Sequence, residues 1–229
     1  MWPYIAGFFV VFSMFAVSRF YRASRNAIEV DWGRPGLNLI DGALRLFLYR
    51  YHRLDANQYI DLPEHGPAII VANHISGLDP PLLIGLSKRP LRFLIAREEY
   101  NRLPFLFKAA GCIPVDRETR PEKALREAYD ALANGEVVVV FPHGGIHWPA
   151  DKPRKVKGGA IRMAMKSGAP IFPIFITGIG LPGSTLRALL VRSHVKVEIG
   201  SPFYCTDTNG YDEYVKTLDQ LLNSVKHTT

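Results

Sequence analysis

The chain has 229 residues, of which 48% are hydrophobic and 21% charged, values typical of a globular protein large enough for one substantial core. Its formal net charge of +7 and its pI of about 9.5 indicate a polyanionic partner. The basic residues are spread along the chain without a recognition motif for nucleic acid, which favours an anionic membrane surface as that partner. Cys112 and Cys205 lie far apart in sequence, and we expect them to be free thiols in a reducing compartment.

The N-terminus begins with roughly 18 residues that lack charged side chains, near the lower length limit for a bilayer span. Arg19, Arg22 and Arg25 follow this run, whereas a cleavable signal peptide carries its positive charge first. This order predicts an uncleaved membrane anchor with the body of the protein on the cytoplasmic side of the membrane. Because the run is short and contains a proline and a glycine, a buried or membrane-surface helix is the alternative.

Residues 37–54 predict an amphipathic helix. Its apolar stripe comprises Leu37, Ile40, Leu44, Phe47, Leu48 and Tyr51, with Arg45, Arg50 and Arg53 at a polar margin. Such a helix after an apolar segment is typical of a surface lying on anionic lipid, and an ordinary core-facing helix is the alternative. We therefore divide the chain into an N-terminal membrane anchor and amphipathic helix at residues 1–55 and an α/β domain at residues 56–229.

The rest of the chain alternates apolar runs with helical patterns. The runs predict strands at residues 68–72, 91–96, 112–115, 137–141, 171–177 and 195–200. Helices are predicted from Pro121, from the glycines at 158–159, and near the C-terminus from residue 211. Strands that are apolar throughout belong to a sheet covered on both faces. The expected fold is an α/β domain with a mainly parallel or mixed sheet covered by helices, preceded by the membrane-associated N-terminal segment.

The stretch VANHISGLDPPLLIGL, residues 71–86, places His74 and Asp79 in the loop after the first predicted strand. Asp79 followed by proline fits a helix N-cap, which alone would explain the aspartate. Alternatively the loop curls back, so that the Asp79 carboxylate accepts from one ring N–H of His74 and leaves the other nitrogen as a general base. No nucleophile elbow surrounds Ser76, so a substrate hydroxyl would supply the nucleophile.

Four further stretches accompany this pair: GCIPVDR, VVVVFPHGGIH, RKVKGGAIRMA and APIFPIF. Lys157 precedes a glycine-started helix, where backbone N–H groups and a cation could hold a phosphate. In this order the segments resemble the glycerophospholipid acyltransferases, and most closely the bacterial 1-acyl-glycerol-3-phosphate acyltransferases. The resemblance covers roughly residues 37–205 and implies a glycerol-3-phosphate acyltransferase-like fold.

The resemblance implies transfer of a fatty acyl group from acyl-CoA or acyl carrier protein to a lysophospholipid hydroxyl, without a metal or other cofactor. His74 would be the base and Asp79 its orienting partner. The implied substrate-binding residues are Asn73, Arg117, His143, Gly144, Gly145, Lys157 and Pro173, with Arg117 and Lys157 at the acceptor's phosphate and Pro173 near the acyl donor. Backbone N–H groups around Gly144 and Gly145 are expected to receive the oxyanion. The partners are then a membrane lipid acceptor, the acyl carrier and an anionic membrane surface.

One departure from the family pattern concerns the acceptor. Where the family has Glu-Gly-Thr-Arg, this chain has His143-Gly144-Gly145-Ile146, so the acid and the basic residue are lost. Because the family associates that glutamate with acceptor binding, a different lysolipid or an aminolipid is the alternative acceptor. His143 as a neutral loop residue is the simpler interpretation.

Two other classes of function stay open. His74, Asp79, His143 and His147 could together bind zinc or iron in a metal-dependent hydrolase. A catalytically silent lipid-binding relative is the second, indicated by the lost glutamate.

Overall fold

The computed structural model describes residues 2–116, 121–147, 154–207 and 209–223. Its helices are α1 (Trp2–Asn26), α2 (Pro35–Arg50), α3 (Asp79–Leu86), α4 (Arg97–Tyr100), α5 (Pro104–Ala109), α6 (Pro121–Ala133), α7 (Gly159–Ser167), α8 (Arg187–Leu190) and α9 (Tyr211–Asn223). Its strands are β1 (Ala68–Ala72), β2 (Leu91–Ala96), β3 (Ile113–Val115), β4 (Val137–Val140), β5 (Ile171–Thr177) and β6 (Lys196–Ile199). The six predicted strands are confirmed, each to within one residue at either end.

The strands form one mixed sheet in the order β3-β2-β4-β1-β5-β6. All neighbouring pairs are parallel except β5 and β6, which are antiparallel. The central strand β1 is buried along its whole length, between β4 and β5. Because β1, β2, β4 and β5 run in one direction, the loops that follow them lie at one edge of the sheet. That edge carries the candidate site.

The sheet separates two apolar clusters. One cluster joins Ile70 and Ala72 of β1 to α2, α3 and the α8 segment, and includes Leu48, Leu82 and Ala188. The other joins Ile69 and Val71 to residues of α6, α7 and α9. Successive residues of β1 thus bury their side chains in opposite layers, as an apolar strand covered on both faces requires. The predicted α/β fold with a helix-covered mixed sheet is confirmed.

The helix α1 packs against α2 near its own C-terminal end. A Cβ atom at Gly42 would collide with the backbone carbonyl of Ser24, so glycine is needed for this close approach. Large apolar side chains along the rest of α1 are exposed, among them Phe8, Val11 and Phe15 at 65–67%.

Among the described residues, no helix is both long and apolar enough to cross a bilayer. The predicted bilayer-spanning anchor is therefore corrected: the apolar run lies within α1, but it is short and Arg19 and Arg22 follow it before the helix ends. What the structure shows in its place is a helix with an exposed apolar surface.

The helix α2 also departs from its predicted arrangement. Arg45, expected at a polar margin, is fully buried, while Ile40 and Tyr51 of the predicted apolar stripe are exposed by 51% and 37%. Leu48 is buried in the core beside α3, so α2 packs into the α/β body as a core-facing helix. The division of the chain at residues 55 and 56 stays a prediction.

Candidate active site

Asn73, the residue after β1, ties the candidate site to the neighbouring strand. Its side-chain amide donates from Nδ2 to the carbonyl of Ile176 at 2.8 Å, and its Oδ1 accepts from the N–H of Ile176 at 2.7 Å. This pair of bonds fastens the start of the loop to β5 beyond the last backbone pairing of the two strands. The amide of Asn73 thus positions the loop on β5, and its predicted substrate-binding role stays a prediction.

His74 and Asp79 are in contact, as predicted by the interpretation in which the loop curls back. His74 Nδ1 lies 2.8 Å from Asp79 Oδ2, and the same oxygen accepts the backbone N–H groups of Ile75 at 2.7 Å and Ser76 at 2.9 Å. Three donors thus surround this one carboxylate oxygen. A proton on Nδ1 is required for this arrangement, which leaves Nε2 as the basic nitrogen of the ring.

Asp79 does not act as the predicted N-cap. It is the first residue of α3 itself, Leu78 precedes it as the cap position, and no side-chain capping bond is formed there. The fully buried carboxylate instead turns back to the loop and to His74. The curl of residues 74–79 is therefore held by the aspartate, and the fixed orientation of the imidazole follows from it.

The His74 ring lies at the surface and against an aromatic support. Its side chain is 17% exposed, and its ring stacks on that of Phe141, with 4.2 Å between centroids and 21° between planes. Phe141 follows β4, the strand next to β1, so two adjacent strand ends supply the base and its support. An imidazole with one nitrogen on a carboxylate, one flank on a phenyl ring and an open edge can reach a substrate hydroxyl.

The loop after β4 brings two more histidines to this edge. The backbone N–H of His147 donates to the carbonyl of His74 at 2.7 Å, and the rings of His143 and His147 lie 5.4 Å apart. His143 is only 6% exposed, and neither of its ring nitrogens has a hydrogen-bond partner among the described residues. Burial lowers the pKa of His143, and the neighbouring His147 lowers it further, against an opposing effect of Asp219. His143 is thus a neutral imidazole at pH 7.

Gly144 and Lys157 are in contact. Gly144 has φ of +77°, and a Cβ atom added to it would lie 2.8 Å from Lys157 Nζ, so the lysine side chain crosses over the glycine. The backbone N–H of Lys157 donates to the carbonyl of Pro142 at 3.0 Å, which fixes the lysine beside the loop. Lys157 is exposed, and α7 begins two residues later as predicted. The structure thus places a cation over Gly144, two residues before the start of a helix.

The backbone N–H groups of Gly144 and Gly145 were expected to receive the oxyanion. The N–H of Gly144 donates to the carbonyl of Phe141 at 3.0 Å, so Gly144 is corrected as an oxyanion donor. Gly145 lies in the same half-buried turn, near the guanidinium of Arg154, and its role as an oxyanion donor stays a prediction.

Two further residues were predicted for the site, Pro173 and Arg117. Pro173 is buried within β5, in register with Val71 and thus three residues below His74, and its role near the acyl donor stays a prediction. Arg117 lies outside the described residues, and its phosphate-binding role stays a prediction.

The connection after β5 packs on the catalytic loop, which the sequence did not indicate. The N–H of Gly183 donates to the carbonyl of Ile75 at 2.7 Å, and the N–H of Gly77 donates to that of Ser184 at 3.0 Å. A Cβ atom at Gly77 would overlap the backbone carbonyl of Thr185. Phe141 was equally unrecognised, although its place at the end of a buried strand was a usable signal.

We expect Gly77→Ala to lower the free energy of unfolding by about 1–3 kcal/mol, because backbone atoms of Thr185 must move to admit the methyl group. Urea denaturation measures the change. Gly36→Ala is the matched control, since nothing lies within 4 Å of its added Cβ and its helical position favours alanine by up to about 1 kcal/mol. Equal stability of Gly77→Ala and the wild-type protein would contradict the close packing.

The four residues of the alternative metal site, His74, Asp79, His143 and His147, do not form a metal-binding group in the part of the chain that the structure describes. The described residues contain no group of three or more His, Cys, Asp or Glu side chains placed to hold a metal ion. The bonded oxygen of Asp79 faces His74 Nδ1 and backbone N–H groups. Among the four predicted ligands, the described ring contact is between His143 and His147. The geometry favours a base–carboxylate pair.

The family model described as Acyltransferase matches residues 53–177, more than half of the chain and all of the site's loops up to β5. The chain belongs to the acyltransferase family. This confirms the resemblance inferred from the ordered motifs. The matched region begins after α2 and includes His74, Asp79, His143 and Lys157.

Relatives agree with this assignment. Over 119 residues the chain is 30% identical to a 1-acyl-sn-glycerol-3-phosphate acyltransferase of Borreliella burgdorferi, a match covering 50% of this chain and 47% of that protein. A protein of the same name from Bacillus subtilis is 25% identical over 150 residues, covering 64% of this chain and 72% of that one. The acyltransferase chain thus spans about half the length of the first of these relatives.

Two other similarities bear on the acceptor and on the fold. An N-acylphosphatidylethanolamine synthase of Arabidopsis thaliana is 28% identical over 163 residues, covering 61% of this chain and 57% of that protein. The crystal structure of the 1-acyl-sn-glycerophosphate acyltransferase PlsC from Thermotoga maritima superposes with a TM-score of 0.60 at 20% identity, over 97% of this chain and 90% of that one. The latter shows a shared fold.

Proposed function

We propose that this acyltransferase moves a fatty acyl group from acyl-CoA or acyl carrier protein to the hydroxyl of a lysophospholipid such as 1-acyl-glycerol-3-phosphate. The observation that carries the proposal is the 2.8 Å contact between His74 Nδ1 and the buried Asp79 carboxylate on a ring with an exposed edge. The names of two bacterial relatives supply the substrate class. The role is in phospholipid synthesis or remodelling.

The proposed reaction begins with His74 Nε2 removing the proton from the acceptor hydroxyl while that oxygen attacks the thioester carbonyl. The carbonyl carbon becomes tetrahedral, and Asp79 stabilises the imidazolium that forms. The carbon–sulfur bond then breaks, the thiolate leaves, and it takes the proton held by His74. An ester and a free thiol are the products, so no protein nucleophile is needed.

The acceptor's phosphate is proposed to lie near Lys157. Its ammonium crosses Gly144 beside the buried His143, and the N-terminus of α7 follows directly. A cation and helix N–H groups favour a phosphate at this place. Arg117 would add a guanidinium as the family resemblance implies.

Membrane association is also part of the proposal. The exposed apolar surface of α1 would lie in the boundary region of the bilayer, and Arg19, Arg22 and Arg25 toward its C-terminal end would meet anionic headgroups. The cytoplasmic placement of the site stays a prediction.

The second candidate is acyl transfer to the amine of an aminolipid. The Arabidopsis relative bears the name of an N-acylating enzyme, and the neutral His143 occupies the place of the family's glutamate. The same base would accept the proton of the attacking amine. The bond formed would be an amide in place of an ester.

We expect purified protein to convert lysophosphatidate and acyl-CoA or acylated carrier protein into diacylated product, because the site holds a base and a cation and the acceptor hydroxyl supplies the nucleophile. Mass spectrometry of products from a panel of lysophosphatidate, other lysophospholipids and phosphatidylethanolamine measures this. An amide product would favour the second candidate. Release of free fatty acid alone, or binding without turnover of any acceptor, would contradict acyl transfer.

The acceptor preference is expected to depend on His143. His143→Glu places a carboxylate at this buried position and should change the ratio of kcat/KM between two acceptors by about tenfold or more, since a buried ring would be replaced by an acid that can pair with a polar acceptor group. His65→Glu makes the same change at an exposed position in the loop before β1 and is the control. An unchanged ratio in His143→Glu would remove His143 from acceptor recognition.

A further inference from the structure

The segment that follows the catalytic edge of β5 exposes a group of aliphatic side chains. Leu186 and Leu190 are 66% and 77% exposed, and Val191 is 38% exposed. The guanidinium-bearing residues Arg187 and Arg192 are exposed in the same stretch. We call residues 186–192 the α8 patch.

The α8 patch is held firmly to the body of the enzyme. Ala188 is fully buried in the core, and the Tyr51 hydroxyl donates to the carbonyl of Leu190 at 2.6 Å. Ser193 Oγ accepts the N–H of Gly180 at 3.0 Å, which closes the base of the segment. The exposed aliphatic groups therefore project from a fixed scaffold.

The α8 patch is also coupled to the catalytic loop by the chain just before it. Gly183 and Ser184 exchange backbone hydrogen bonds with Ile75 and Gly77, the residues between His74 and Asp79. The absence of a side chain at Gly77 lets Thr185 lie directly on the loop. Whatever surface the α8 patch touches is thus only a few residues from the base.

The chemistry of the α8 patch fits an anionic bilayer. Its aliphatic side chains suit the boundary between headgroups and acyl chains, and its two arginines suit anionic headgroups, in a chain of net charge +7. Leucine side chains that project between arginines can insert into a fluid apolar layer. Binding a helix of another protein would instead require an apolar groove on this surface. The exposed apolar face of α1 belongs to the same kind of surface.

We propose that the α8 patch is a second lipid-contacting surface, separate from α1, which seats the catalytic loop on an anionic membrane. The inference rests on the proposed function, since it supposes an acceptor that resides in the bilayer. In this proposal α1 attaches the protein to the membrane, and the α8 patch fixes the position of His74 relative to the lipid.

The test compares wild-type protein with the triple variant Leu186→Ser, Leu190→Ser and Val191→Ser. Acyl transfer is measured to lysophosphatidate in vesicles of phosphatidylcholine and phosphatidylglycerol, and to a short-chain, water-soluble lysophosphatidate. The ratio of kcat/KM on vesicles to kcat/KM in solution should fall about tenfold or more, and the sedimented fraction on these vesicles should fall with it. Turnover in solution should stay within about twofold, since no described hydrogen bond or ring contact of His74 or Asp79 involves a replaced residue.

Phe105→Ser is the matched control, because it removes a 90% exposed apolar side chain from α5, which makes no bond to the catalytic loop among the described contacts. An unchanged ratio in the triple variant, or an equal fall in the control, would overturn the inference. So would an equal loss with the soluble acceptor, or a loss confined to transfer from acyl carrier protein. Patch-dependent vesicle binding by a protein inactive on every acceptor would support the inference and reject the proposed function.

Discussion

Replacing His74 with alanine is expected to lower kcat for acyl transfer by about a thousandfold, while the protein stays folded. The general base is lost, and such a group typically contributes 10² to about 10⁴ in rate. Because the ring is largely buried, stacks on Phe141 and bonds to the fully buried Asp79, the free energy of unfolding should fall by about 1–3 kcal/mol. Steady-state kinetics and urea denaturation on the same preparation measure both.

His65→Ala is the control for this variant, since His65 is exposed in the loop before β1, at the opposite end of that strand from His74. It should leave kcat unchanged. Near-normal turnover by His74→Ala would dispose of the mechanism, because no other described histidine shares a bond with a buried carboxylate.

Asp79→Asn separates the orienting carboxylate from the base. An amide oxygen in the place of Oδ2 can still accept from the N–H groups of Ile75 and Ser76 and from His74 Nδ1, so the ring keeps its orientation. The negative charge that stabilises the imidazolium is lost, and we expect steady-state kinetics to show a fall in kcat of about 10² or more with little change in KM. A normal rate in Asp79→Asn would show that the charge of Asp79 does not assist the base.

The strands were predictable because their signal is local. β1, β2 and β5 have the predicted bounds, since each is an apolar run buried against helices. The short helices α4, α5 and α8 have four to six residues, fewer than two turns, so they carry no period that a sequence window can detect. The contact between His74 and Asp79 was predictable for the same reason, because both residues belong to one short loop.

The contacts that the sequence did not indicate join parts of the chain that are distant in sequence. Asn73 binds a backbone group 103 positions away, a bond that positions the loop and that no local pattern predicts. Arg45 shows the same limit: its spacing fits a polar helix margin, but its acceptors belong to a helix some 40 positions further on. The contacts of a side chain whose partners belong to another layer of the fold can be predicted only when the position of that layer is known.

Arg45 joins α2 to the end of α3, the helix that begins with Asp79. Its guanidinium donates to the carbonyls of Ile84, Gly85 and Ser87 at 2.7–3.0 Å. It also binds Asp41, with Nε at 2.8 Å from Oδ2 and both side chains almost completely buried. Because the last carbonyls of a helix have no partner within it, one buried cation satisfies the C-terminal end of α3.

Arg45→Met is therefore expected to lower the free energy of unfolding by about 3–5 kcal/mol, since the carboxylate of Asp41 and three carbonyls lose a buried donor. That is a large part of the total stability of a typical domain, about 5–15 kcal/mol. Urea denaturation measures the change, with Arg50→Met as control. Arg50 lies on the same helix but is exposed, and its loss should cost about 0.5 kcal/mol or less.

Adding Asp41→Asn to Arg45→Met should recover part of the loss, because the buried group that lost its cation is then uncharged. The double-mutant cycle thus separates the cost of an unpaired carboxylate from the cost of the three carbonyls. If Arg45→Met costs no more than Arg50→Met, or if the second substitution adds a further independent loss, the ion pair does not stabilise the contact between α2 and α3. A stable Arg45→Met variant would then leave the apolar contacts around Leu48 as the interaction that holds α3, and with it Asp79, in place.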